Sequence, residues 1–245
     1  MNMLNEILLA IIQAATEFLP ISSSGHLALI SKLGGFENIQ LIVFLHLASL
    51  LAVLIFLRRE IISLITLKKR YRRLWPYLIL ATIPAAFFGF FFKNIIEKTF
   101  SSYFFISLFF LFSSIILFLT KFSKEHDKLN WKNSLFIGFF QVFALFPGVS
   151  RSGMTISAGL FSGLNKKEAV KFSFLLFIPI VIGANLLELK NITFQFYLIP
   201  FLICFLLSYF FIFLLYKITE KGYFWIFSIY NLILSIISFL LYLFS

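Results

Sequence analysis

Two short stretches of this chain hold side chains that could do chemistry. The first places Gln13 and Glu17 four residues apart, on one helical face, and follows them with Pro20, Ser22, Ser23, Ser24, Gly25 and His26. The second runs Pro147, Gly148, Ser150, Arg151, Ser152, Gly153 and Thr155. A carboxylate, an imidazole, several hydroxyls and a guanidinium are the groups that bind an oxyanion and move protons beside it. Arg151 carries a planar fork of donors suited to a phosphate or a carboxylate. Gly148, Gly153 and the neighbouring hydroxyls lead into a helix start, where backbone N–H groups and the positive dipole end favour negative charge. An oxyanion pocket is the economical reading. Its competitor is an internal Glu17–Arg151 ion pair that only fastens the two stretches together.

Within such a pocket, Gln13 can orient a ligand, water or cation but cannot act as a base. Glu17 can be a general base or a metal ligand. His26 follows the serines closely enough to exchange a proton with Ser23 or with a bound phosphate. His46 lies in an apolar run without polar neighbours and reads as a hydrogen-bonded packing residue.

The elements that must position these residues belong to a bilayer. Of the 245 residues, 61% are hydrophobic and 13% charged, and Phe alone occurs 37 times; a soluble fold would expose apolar patches that water penalises. Six stretches approach the roughly 20 apolar residues that a helix needs to cross the hydrocarbon: 39–57, 76–92, 103–120, 172–187, 194–216 and 224–244. Two shorter ones, 4–19 and 134–146, end in proline and continue through a Ser/Gly turn into short helical segments, 24–33 and 152–164. These read as re-entrant hairpins, because non-helical backbone at membrane depth is tolerable only where protein or a wet cavity satisfies it. The expected fold class is therefore all-α integral membrane, six transmembrane helices plus two re-entrant hairpins. The first apolar stretch lacks a basic leader and an A-x-A site, and is kept as mature structure. Cys204 is the only cysteine, which leaves no intrachain disulfide and no cysteine metal cluster.

Net charge is +11, but the basic residues lie in loops, so nucleic acid is excluded as a partner. Sixteen fall on one side: Arg58, Arg59, Lys68, Lys69, Arg70, Arg72, Arg73, Lys121, Lys124, Lys128, Lys132, Lys166, Lys167, Lys171, Lys217 and Lys221. Only Lys32, Lys93, Lys98 and Lys190 fall on the other, and the positive-inside rule then turns both termini outward. The cluster at 68–73 sets topology and offers a contact for anionic lipid headgroups.

Sliding the sequence by 128 positions aligns Asn5 with Asn133, Gln13 with Gln141, Phe18 with Phe146, Ser22 with Ser150, Ser24 with Ser152, Gly25 with Gly153 and Gly35 with Gly163. Chance composition would give on the order of two such matches. The chain thus divides into one repeat over 1–128 (hairpin 4–34 plus three spans) and another over 129–245 (hairpin 134–164 plus three spans), within a single membrane domain. An odd number of crossings per repeat predicts inverted topology, with the two interrupted segments meeting near the midplane.

The stretch from Gln13 to His26 resembles the (E/Q)xxxE…PxSSxGH motif of the undecaprenyl-diphosphate phosphatases known for bacitracin resistance. Residues 147–155 resemble their PGxSRSGxT motif, and the likeness extends through 163–169 and 172–179. This resemblance implies hydrolysis of undecaprenyl diphosphate to undecaprenyl phosphate and inorganic phosphate, which recycles the lipid carrier of peptidoglycan synthesis. It implies a bacterial plasma-membrane location, with the site opening to the periplasm or exterior. It also implies a divalent cation, Mg²⁺ or Ca²⁺. Gln13 stands where many relatives have a glutamate, leaving Glu17 as the one carboxylate for a metal, so the cation is expected to arrive with the diphosphate. The expected catalytic set is Glu17, Ser23, His26 and Arg151. The phosphate ligands are Gln13, Ser22, Ser24, Ser150, Arg151, Ser152, Gly153 and Thr155. The partners are the lipid substrate and membrane lipids, with a homodimer open. A polyprenyl-phosphate transporter or flippase is the competing class, because inverted repeats with broken helices also serve alternating access.

Overall fold

The computed structural model of the chain describes residues 3–34, 39–67, 72–188 and 197–244. Among them it contains twelve α-helices: α1 (Met3–Phe18), α2 (Ser23–Gly34), α3 (Ile39–Phe56), α4 (Arg58–Ile65), α5 (Leu74–Phe91), α6 (Lys93–Phe100), α7 (Tyr103–Leu119), α8 (Trp131–Phe143), α9 (Arg151–Phe161), α10 (Lys166–Glu188), α11 (Leu198–Glu220) and α12 (Phe227–Leu243). Gly35, Lys68, Lys69, Arg70, Lys190 and the start of the expected 194–216 span lie outside the described residues.

Five stretches are long and apolar enough to cross a membrane by themselves: Leu74–Phe91, Tyr103–Phe122, Lys166–Leu186, Leu198–Glu220 and Phe224–Leu243. The sixth expected span departs from a single straight helix. It breaks at Leu57, where α4 turns 81° away from α3. The reason is local: Arg58, Arg59 and Glu60 follow an uninterrupted apolar run, and charged heads seek the interface while Ile61 and Leu64 stay against the protein. The equally short and amphipathic α6 is a second feature that span-counting does not anticipate. By contrast α1 and α8, at 16 and 13 residues, reach only about 24 and 20 Å, short of the hydrocarbon thickness.

Apolar side chains cover the outside of the bundle, and small polar residues lie between helices, as helix association in lipid requires. The α7–α12 seam is an example. Ser114 donates to the Ser228 carbonyl at 2.8 Å, and Ser107 and Ser235 bring their hydroxyls to 3.4 Å, with Ser235 also donating to the Ser107 carbonyl at 2.9 Å. A second seam, between α3 and α11, holds Ser49 and Ser208 hydroxyls 3.1 Å apart beside buried Cys204.

Each short hairpin packs against helices from both halves of the chain. Helix α1 packs along α11 and α3, while α8 packs along α5 and carries α9, which in turn lies against α10 and α7. The two turns come together face to face. Gly25 approaches Gly148 so closely that a Cβ would sit 2.8 Å from the Gly148 backbone and 2.6 Å from the Phe110 ring. Gly148 itself has φ +96°, a conformation that disfavours other residues. Under this contact, Phe18 stands edge-on to Phe174 and Phe177 at 5.7 and 5.4 Å, forming an apolar floor.

Candidate active site

The turn after α1 is built around Ser22, held at φ +65°. Its Oγ accepts from the Gly25 amide at 3.2 Å, capping α2, and from the Gly148 amide of the other hairpin at 3.1 Å; Ser24 lies 3.2 Å away. The second turn repeats this arrangement at a spacing of 128. Ser150 Oγ accepts from the Gly153 amide at 3.1 Å, capping α9, and lies 3.1 Å from Ser152 Oγ. Both helix starts therefore face one another across the junction, and the first amides of α9, those of Arg151 and Ser152, have no acceptor among the described residues.

Between them lies a cavity of about 200 Å³. Glu17, Ser22, Ser23, Ser24, His46, Gln141, Ser150, Arg151 and Asn185 supply its polar lining, and Ala85, Leu145, Val149 and Val181 part of its apolar wall. Glu17 is its hub. Oε1 receives Arg151 Nη2 at 2.7 Å; Oε2 receives Ser23 Oγ at 2.7 Å and Gln13 Nε2 at 3.0 Å, with His46 Nε2 3.7 Å away. The Arg151 guanidinium stacks over Phe177, 4.1 Å from the ring centroid, a contact worth about 0.5–2 kcal/mol.

The Glu17–Arg151 pair expected of a mere fastener is thus present. It does not account for the whole site, however. Among the described residues, Arg151 Nη1 and Asn185 Nδ2 are buried donors without a partner, and Gln141 Oε1 is a buried acceptor in the same condition. Unsatisfied buried groups are costly and few in native proteins. Of the nine such atoms among the described residues, these three belong to side chains that line one cavity, where a polar ligand would give them partners.

Several of the expected site residues lie off the cavity. His26 does not line the cavity: its Nδ1 is 2.7 Å from the Ser22 carbonyl and its Nε2 2.8 Å from the Tyr230 hydroxyl, with the two rings stacked. Helical phase turns it toward α12, leaving it as a brace of the serine turn. Thr155 faces α10, where its hydroxyl meets Ser173 at 2.6 Å, and Ser152 donates to the Phe18 carbonyl at 2.8 Å, tying the hairpins together. The Gly153 amide is spent on the Ser150 cap, and Gln13 stands behind Glu17, outside the cavity. Conversely His46, read as packing, faces Glu17 across the cavity, its Nδ1 held by the Ile42 carbonyl at 2.9 Å. Its signal was available, since an ionisable residue inside an apolar span is costly by default. Asn185 and Gln141 carry the same signal in weaker form.

The donor set does not fit a resident metal. Among the described residues no three His, Cys, Asp or Glu side chains gather at one point. Both oxygens of Glu17 are already engaged, whereas Mg²⁺ and Ca²⁺ need six or more oxygens.

Fold and cavity together define a multi-pass helical membrane protein with a polar chamber furnished for a phosphate-like anion. The chain belongs to the bacitracin resistance protein BacA family, whose profile matches residues 6–237. It is similar to proteins named undecaprenyl-diphosphatase. One from Thermosipho africanus is 44% identical over 96% of this chain and 99% of the relative. One from Thermosipho melanesiensis is 42% identical over 96% and 98%, and one from Methanococcus maripaludis is 42% identical over 78% and 81%.

Proposed function

We propose that this protein hydrolyses undecaprenyl diphosphate to undecaprenyl phosphate and inorganic phosphate, returning the lipid carrier to peptidoglycan synthesis and so conferring bacitracin resistance. The observation that carries this reading is the chain Ser23 Oγ to Glu17 to Arg151, with 2.7 Å at each link, beside a cavity that also holds unpaired donors. Phosphoryl transfer asks mainly for positioning and for charge stabilisation on the equatorial oxygens. Arg151 Nη1, the Ser150 hydroxyl and the first amides of α9 supply these.

In the proposed reaction Ser23 Oγ attacks the terminal phosphorus. The Oγ–P bond forms, the bridging P–O bond breaks, undecaprenyl phosphate leaves, and the hydroxyl proton passes to Glu17. Water then cleaves the phosphoserine, releasing inorganic phosphate and restoring the serine. A water held by Ser23 and His46 is the second possible nucleophile. His26 is not proposed for either role, because both its ring nitrogens are engaged. The divalent cation, Mg²⁺ or Ca²⁺, enters with the diphosphate as part of the substrate.

We propose also that the two halves form an inverted repeat. Support comes from the matching serine caps and from Ser107 and Ser235, which are 128 positions apart and touch, as equivalent residues beside a two-fold axis do. The hairpins are re-entrant on this reading, both termini and the chamber face the exterior of a bacterial plasma membrane, and a homodimer is compatible with the apolar outer surface. Hydrolysis is favoured over a flippase because the Thermosipho relatives are named as diphosphatases.

The test is phosphate release from undecaprenyl diphosphate by the purified chain in detergent. Wild type should release phosphate and Ser23→Ala should lose about a hundredfold or more. Near-full turnover in Ser23→Ala would exclude the serine nucleophile. Movement of lipid phosphate across liposomes with no phosphate release would replace the hydrolase by a transporter.

A further inference from the structure

Asn185 is a buried amide near the C-terminal end of the apolar span α10. It is 6% exposed, lines the chamber, and its Nδ2 has no partner among the described residues. A buried donor in this state lowers stability in a way that an apolar side chain would not. Its position on α10 gives that cost a purpose. Val181 and Ala184 share its side of the helix and face the chamber with it. Ile178, Pro179, Ile182 and Gly183, on the neighbouring face, line a separate apolar cavity of about 700 Å³ closed by α3, α4 and α5. On α5 the same division falls between Ala85, in the chamber, and Ala86, in the apolar cavity. Asn185 therefore lies on the chamber side of a helix that borders both the polar and the apolar space.

We infer that Asn185 binds the lipid-linked phosphate of the substrate, with the first prenyl units in the apolar cavity between α5 and α10. This deepens the hydrolase reading and rests on it. A diphosphate presents two phosphoryl groups, and the chamber holds two side chains with unpaired donors, Arg151 and Asn185. Arg151 lies with Ser23 through Glu17 and takes the terminal phosphate, leaving Asn185 for the phosphate that carries the tail. Hydrogen bonds to charged groups are the stronger kind, so loss of this one should weaken substrate binding about ten- to a hundredfold.

The test is Asn185→Leu in the full chain, with Asn185→Ala as the second variant should leucine impair folding. In detergent, the melting temperature should be unchanged or higher than wild type, while KM for undecaprenyl diphosphate rises about ten- to a hundredfold. Inhibition by undecaprenyl phosphate should weaken by a similar factor and inhibition by inorganic phosphate should not change. An unchanged KM overturns the inference, whatever happens to stability. So does weakened inhibition by inorganic phosphate in place of the lipid product, which would move Asn185 to the terminal group. Wild type that turns over with an indifferent Asn185→Leu defeats this inference alone; wild type that releases no phosphate defeats the hydrolase reading and the inference with it.

Discussion

Arg151 donates from Nη2 to Glu17 Oε1 at 2.7 Å, and its other terminal nitrogen, Nη1, is buried with no partner among the described residues. One guanidinium thus joins the two hairpins and keeps a second donor unpaired beside the chamber. The proposed repeat departs from symmetry at these positions. At a spacing of 128, Glu17 is answered by Leu145 and Ser23 by Arg151, so one half brings carboxylate and hydroxyl while the other brings the cation.

The pair has a stability signature. Glu17→Gln or Arg151→Gln leaves one buried charge unmatched and should destabilise by about 3–5 kcal/mol, whereas the double variant should recover part of that loss. All three should fail to release phosphate. Thermal melting in detergent beside a phosphate assay separates fastening from chemistry.

The two histidines of the region should behave differently. His46→Phe removes a group facing Glu17 and should lower turnover about tenfold or more with little change in melting temperature. His26→Phe removes a brace of the serine turn, so its effect should be reproduced by Tyr230→Phe, which breaks the same contact from the other side. A large loss in His26→Phe with a fully active Tyr230→Phe would return His26 to the reaction itself.

Gly25→Ala should push the two turns apart. The added Cβ meets Gly148 backbone, which cannot swing away as a side chain could, and overpacking of this kind costs about 1–3 kcal/mol. Turnover should fall further than stability, since the contact sets the distance between Ser23 and Arg151. Gly89→Ala, where a Cβ meets only the Leu145 side chain at an ordinary 3.7 Å, is the control.

Outside the membrane, Asp127 predicts an acid-sensitive contact. The Lys128 amide, then Asn133 and Asn130, donate to its carboxylate and hold it below the usual carboxylate range. A lowered folded value means that the contribution to stability is present above the ordinary carboxylate range and is lost as pH falls through the folded value. Melting temperature should therefore decline less steeply toward acid pH in Asp127→Asn than in wild type, with the start of α8 as the affected element.

Much of this was legible in the chain of residues. The apolar runs gave the spans because hydrocarbon tolerates only internally bonded helices, and the proline-serine-glycine turns marked the hairpins because such backbone needs a cavity or protein around it. Glu17, Ser22, Ser23, Ser24, Ser150 and Arg151 were named from sequence, and all line one chamber. What sequence missed follows from helical phase. His26 and Thr155 fall in the right motifs but on faces turned away, and His46 and Asn185 fall in plain apolar spans on faces turned inward.

The order of residues by itself determined that this protein is built of apolar helices suited to a membrane and that its candidate chemistry gathers in two short motifs. Those properties follow from transfer energies, which depend on composition and spacing along the chain. Only the tertiary structure decided which polar atoms meet, because hydrogen bonds are made over about 3 Å. Rotating a helix by one residue swings a side chain through about 100°, enough to move His26 out of the chamber and Asn185 into it.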